Sequence, residues 1–150
     1  MRRITRSAIV EASAEAFYAL VEDIESYPRF LPWCAEARVK AREPGRTVAT
    51  LTLGVKGVRQ AFTTENRNTP GRSIEMRLIE GPFRHFSAGW RFTPLGEGAT
   101  KVEFALEFEF ASRLAAAALG RAFERLADET VEAFVRRAAG VGKMRDETAR

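Results

Sequence analysis

The sequence predicts an α+β domain in which about seven antiparallel strands curve around one long C-terminal helix. Three observations carry this. Residues 100–110 alternate, with Val102, Phe104, Leu106, Phe108 and Phe110 on one side and Lys101, Glu103, Glu107 and Glu109 on the other, the pattern of a strand with one dry and one wet face. From Ser112 to about Ala139 the period turns helical: Leu114, Ala118, Ala122, Leu126, Thr130, Phe134 and Ala138 recur three or four apart, flanked by Leu119, Phe123 and Val131. Upstream of both, β-prone segments are punctuated by Pro and Gly, which supply the dihedrals of tight reversals.

The elements follow in order. In residues 2–11, Ile4, Ala8 and Val10 share a face and predict a first strand. Ser13 is placed to cap a helix, because its hydroxyl can accept from free first-turn amides, and Glu15 sits where the helix dipole favours an anion. That helix, over residues 14–25, lines up Phe17, Leu20, Val21 and Ile24 and is expected to stop near Tyr27, since Pro28 biases its predecessor away from helix. Strands are then expected over 36–43, 46–55, 58–68, 73–80 and 85–95, before the alternating 100–110 segment. Connections this short imply an antiparallel sheet, and the long helix must lay its apolar stripe on the dry face. Where a curved sheet and a helix do not close completely, a pocket lies between them. Residues 1–140 form the expected single domain, and 141–150, with little to pack, are expected to fray.

Composition narrows function. The chain has 150 residues, 45% hydrophobic and 29% charged, which excludes a disordered or fibrous protein. No apolar run approaches the roughly 20 residues of a bilayer span, and the basic start lacks the apolar segment of a secretory signal, so a cytoplasmic protein is expected. With one cysteine, Cys34, and one histidine, His85, neither an intrachain disulfide nor a Cys/His zinc site can form. Dinucleotide, Walker A and HExxH motifs are missing. His85 is out of phase with the inward set Phe86, Ala88, Trp90 and Phe92 and should face solvent, while Glu107 and Glu109 lie on a wet face. Cys34 reads as a small buried hydrophobe. No catalytic residue is assigned.

Two features remain. From Arg38 to Arg91 eleven basic residues face four acidic ones; this is either a solvated sheet face or a surface attracted to anionic lipid or RNA, with no DNA partner expected. Eleven Phe, two Trp and two Tyr either simply fill the sheet-helix interface or exceed what a core of this size needs. Opposite them the helix carries "LAAAALGRAF", small residues that serve either close packing or space for a guest, with Gly120 costing about 1 kcal/mol relative to Ala.

Four strings in register, "SYPRFLPWC" after the first helix, "EGPFRHFSAGWRFTPL", "VEFALEFEF" and "LGRAFERLADETVEAFVRRA", resemble the coenzyme-Q-binding START-domain family. Its bacterial members are often labelled ribosome association toxins of the RatA type, and it is related to polyketide cyclases and aromatases. The likeness runs from about Ile4 to Ala139. It implies the helix-grip fold and non-catalytic binding of ubiquinone or a related polyisoprenoid quinone, in support of respiration as a carrier or chaperone, in the cytoplasm or at the inner membrane surface. It also implies two alternatives, association with the large ribosomal subunit and aromatase or cyclase activity. Carried over by motif, Tyr27, Pro28, Phe30, Leu31, Pro32 and Trp33 would form the pocket mouth, and Trp90 and Phe92 its sheet wall. Leu119, Phe123 and Leu126 join them from the helix stripe on periodicity alone. For the aromatase alternative, the polar candidates are Arg91, Tyr18 and His85.

Overall fold

The structure is a computed structural model that describes residues 1–55, 57–96 and 98–148, with side chains described for these except at position 55 and from 141 onward. Strand β1 (Arg2–Val10) leads into helix α1 (Ala14–Glu22) and a 3₁₀ segment (Ile24–Arg29). Strands β2 (Cys34–Glu43), β3 (Arg46–Val55), β4 (Val58–Thr69), β5 (Ser73–Glu80), β6 (Phe83–Pro94) and β7 (Thr100–Phe110) follow, and α2 (Arg113–Thr148) closes the chain. The seven strands form one antiparallel sheet in the order β1-β7-β6-β5-β4-β3-β2.

Local chemistry explains the boundaries. Ser13 Oγ accepts from the Ala16 amide at 3.1 Å, the expected cap of α1. The first helix ends earlier than its periodicity suggests: Asp23 leaves helical geometry, and the chain continues as a tighter 3₁₀ turn that contains Pro28. A 3₁₀ turn this short spares most of the amide bonds that a proline would break. Ser26 Oγ donates to Asp23 Oδ2 at 2.6 Å and ties the turn to its start.

Alternation sets the inner face. Val102, Phe104, Leu106 and Phe108 of β7, Phe86, Trp90 and Phe92 of β6, Ile74 of β5, Phe62 of β4 and Leu51 and Leu53 of β3 are buried together. Bulges interrupt the period. One between Val39 and Ala41 turns Arg42 to the inner side of edge strand β2, where its guanidinium meets Glu22 at 3.0 Å and Glu25 at 3.1 Å. Another, between Phe83 and His85, brings Phe83 into the core beside Phe86 and Phe123, at centroid distances of 5.2 and 4.9 Å.

Helix α2 buries Leu119, Phe123, Leu126, Ala127, Thr130, Val131, Phe134 and Ala138. The expected stripe is corrected at its start: Leu114 is 81% exposed and Ala118 is exposed, because the first two turns run beyond the rim of the sheet. The helical backbone continues to Thr148, past the end of the apolar period. The tail expected to fray over 141–150 lies, in its side chains and last two residues, outside the described residues. On β1, Arg2 and Arg6 share the face of Ile4 and reach α2, Arg2 pairing with Glu124 at 3.3 Å and Arg6 with Asp128.

Candidate functional site

The "SYPRFLPWC" corner joins the 3₁₀ turn to the sheet edge and is held by its own backbone. Leu31 N donates to Tyr27 O at 2.9 Å, Cys34 N to Leu31 O at 3.1 Å, and Gly54 N to Trp33 O at 2.9 Å. A β-carbon on Gly54 would lie 2.9 Å from that of Ala35, so only glycine lets β3 approach this closely. The Tyr27 ring is buried and its hydroxyl donates to Val21 O; burial drives its pKa far above the ordinary phenol value. Phe30, half-buried, packs on Phe134 at 5.0 Å and lies under the Arg137 guanidinium, 4.4 Å from its centroid.

Between sheet and helix lies a small cavity of about 50 Å³, room for one or two waters. Its walls are Tyr27, Leu31 and Trp33 from the corner, Phe123, Leu126, Thr130 and Phe134 from α2, and Leu51, Phe62, Thr64, Met76, Phe86, Ala88, Trp90, Phe104 and Leu106 from the sheet. No charged side chain lines it. Both threonines are engaged: Thr130 Oγ1 accepts from Trp33 Nε1 at 3.0 Å, and Thr64 Oγ1 donates to Asn66 Oδ1 at 2.8 Å. Among the described residues no fully buried side-chain polar atom lacks a partner.

The residues expected at the pocket divide. Tyr27, Leu31, Trp33, Trp90, Phe123 and Leu126 line the cavity. Phe92 does not; it packs on Phe17 and Tyr18, at 5.6 and 6.2 Å. Leu119 is buried outside the lining, Phe30 faces the later turns of α2, and Pro28 and Pro32 are exposed. Sequence reasoning passed over Leu51, Phe62, Thr64 and Met76, although strand alternation in β3, β4 and β5 points each of them inward.

An open groove of about 870 Å³ runs beneath the start of α2, bounded by Phe108 and Phe110, by Pro32, Trp33 and Gly54, and by Ala116, Ala117, Ala118, Gly120 and Ala122, with Arg2, Arg121, Glu124, Arg125 and Glu129 also lining it. A β-carbon at Gly120 would meet nothing within 4 Å, so close packing does not account for this glycine. Trp33 belongs to both the small cavity and the groove. Its indole is held by the bond to Thr130.

Cys34 is buried and its thiol donates to Glu36 O at 3.3 Å; burial pushes its pKa up to about 12, so it stays protonated. His85 is half-buried at the wall of a groove on the outer sheet face, opposite Glu109. On that face Arg46 and Arg77 hold Glu65 at 2.8 and 2.7 Å and lower its carboxyl pKa. Arg38, Lys40, Arg67 and Arg91, from the basic stretch, stand exposed. Among the described residues no cluster of His, Cys, Asp and Glu could hold a metal ion, and no helix is long and apolar enough to cross a membrane.

Residues 10–135 match the family described as polyketide cyclase / dehydrase and lipid transport. The chain is 44% identical over 141 residues to the ribosome association toxin RatA of Escherichia coli K12, covering 94% of this chain and 89% of that one. It is 28% identical to the mitochondrial coenzyme Q-binding protein COQ10 homolog B of Xenopus laevis, covering 91% of this chain and 58% of that one. Among solved structures, the Zhui aromatase/cyclase of Streptomyces sp. R1128 superposes with a TM-score of 0.82 at 21% identity, covering 92% and 93% of the two chains. A START superfamily protein of Mycobacterium smegmatis gives 0.79 at 22%, covering 93% and 98%. The curved sheet gripping one long helix is therefore the START-like fold.

Proposed function

Because the chain belongs to the polyketide cyclase / dehydrase and lipid transport family, we propose that it binds a polyisoprenoid quinone, ubiquinone or a close relative, between sheet and α2, and supports respiratory electron transport as a carrier or chaperone. The carrying observation is the cavity wall: aromatic and aliphatic throughout, without charge, its threonines already bonded. Such a wall rewards a neutral apolar guest, each buried methylene contributing about 0.8 kcal/mol. The relative named for coenzyme Q binding supports the same ligand class. A quinone head needs far more than 50 Å³, since ligand pockets measure about 300–1,000 Å³. Binding therefore requires Trp33 to leave Thr130 and the cavity to merge with the groove, so that the isoprenoid tail runs out beneath α2.

The wall offers no acid or base to catalysis. The polar candidates for a cyclase lie elsewhere: Arg91 and His85 on the outer face and Tyr18 outside the lining. We therefore favour a binding protein over an aromatase or cyclase. The test is organic extraction of protein purified from respiring cells, with mass spectrometry of the extract. Quinone should accompany the wild type and be lost from Trp33→Ala and Leu31→Asp with the fold retained. Empty wild-type protein, or undiminished ligand in both variants, would overturn the reading.

A second reading, association with the large ribosomal subunit, is favoured by the relatives named ribosome association toxin and by the exposed Arg38, Lys40, Arg67 and Arg91. Co-sedimentation with that subunit should persist at low salt and vanish at high salt. Unaltered joining of the subunits in the presence of the protein would refute it.

A further inference from the structure

The strand directions divide the turns of the sheet between its two ends. At one end lie the β3–β4 turn, the β5–β6 turn and the link from β7 into α2, because Val55 pairs with Val58, Phe83 pairs with Phe110, and Ala111 N donates to Pro82 O at 3.0 Å. Large apolar side chains project there: Val58 is 42% exposed, Ile79 54% and Leu114 81%. Exposed cations stand in the same turns and link, Arg59, Arg84 and Arg113, and none of these three lies within ion-pair distance of a carboxylate among the described residues. The acidic residue among these turns is Glu80. The opposite end also exposes apolar side chains, Ile9 at 71% and Leu95 at 51%, but its turns carry Glu11 and Glu43, with Arg72 and an Arg46 already paired to Glu43 and Glu65.

We propose that the end formed by Val58, Ile79 and Leu114 with Arg59, Arg84 and Arg113 docks on an anionic lipid bilayer. Exposed apolar side chains at one end of the sheet, together with arginines that pair with no carboxylate among the described residues, match the interface of such a bilayer, where tails receive the former and headgroups the latter. Solvated RNA would engage the arginines but gain nothing from three protruding aliphatic side chains. The groove beneath the start of α2 opens among the same turns, between Gly54 of β3 and Ala116 of α2. Docking thus sets the groove against the lipid, and a guest of the cavity would pass between membrane and protein without crossing water. That last step rests on the proposed quinone binding; the docking surface does not.

The experiment is flotation of the full chain with vesicles of phosphatidylcholine plus phosphatidylglycerol, and with phosphatidylcholine alone. The wild type should float with the anionic vesicles and weakly with the neutral ones. Arg113→Gln should reduce binding about fivefold, since a cation near an anionic surface is worth about that factor. Leu114→Asp and Ile79→Asp should reduce it at least as much, whereas Ile9→Asp, at an exposed apolar residue of the acidic end, should leave it unchanged. All four sites are exposed, and circular dichroism checks that the fold persists. Equal binding to both vesicle types, equal loss in Ile9→Asp, or competition by RNA that leaves the Leu114 and Ile79 variants unimpaired would overturn the proposal. Loss of quinone from extracts with flotation intact would sink the ligand reading alone.

Discussion

Thr130→Val isolates the bond that holds the Trp33 indole. The substitution keeps volume and branching but removes the oxygen that accepts from Trp33 Nε1 at 3.0 Å. Trp33 is 6% exposed and Thr130 4%, so the indole N–H cannot turn to bulk water while the ring stays in place. A buried donor left unpaired costs about 1–3 kcal/mol. In a chain of this length each kcal/mol moves the midpoint by about 2–4 °C, so a loss of roughly 2–12 °C is expected. Thermal and urea unfolding of delipidated protein measure it. Because the same bond holds Trp33, which lines both cavity and groove, the variant should also take up a short-chain ubiquinone faster than the wild type, followed by quenching of tryptophan emission. A midpoint within about 1 °C of the wild type would refute the energetic argument. Lower stability with an unchanged uptake rate would refute the requirement that Trp33 leave Thr130 for a guest to bind.

Two further outcomes follow from other sites. Gly120→Ala should stabilise the protein by about 1 kcal/mol in urea unfolding, because the helix gains propensity and the new methyl meets no neighbour within 4 Å; a loss would mean the groove is narrower than described. The thiol of Cys34, raised by burial to about 12 from an ordinary 9.0, contributes stability that is complete below about pH 9 and is lost as pH climbs towards 12. The wild type should therefore lose urea resistance across that window more steeply than Cys34→Ala, and a parallel decline in both proteins would count against it.

Much of the architecture was legible because burial imposes a period. Strand β7 shows its dry face in five alternating residues, and α2 from Leu119 onward shows its buried stripe in the same way. The period fails where geometry beyond the local chain decides. Leu114 and Ala118 obey the helical repeat, yet lie past the sheet rim, whose position no helical repeat encodes. Bulges at Val39/Ala41 and Phe83/His85 each change the phase of a strand without a sequence mark, so Arg42 reaches Glu22 and Phe83 enters the core against their apparent phase. At the candidate site, the "SYPRFLPWC" corner identified Leu31 and Trp33, but not which neighbours turn outward, because a 3₁₀ turn and two prolines follow neither period. The size of the cavity was not legible at all: the abundant rings that suggest a pocket also pack on one another and nearly fill it.

The pairing of β1 with β7 sets a timetable for synthesis. Ile4 lies opposite Leu106, and Phe17 of α1 rests on Trp90, Phe92 and Phe134. Strand β1 and helix α1 are thus synthesised before their partners in β6, β7 and α2 and wait for them to find their places, a long-range closure of the kind that slows folding. Until then β6 has no outer neighbour and the inner aromatic face has no α2 to cover it, so a nascent or truncated chain shows chaperones and proteases a surface that the finished protein hides.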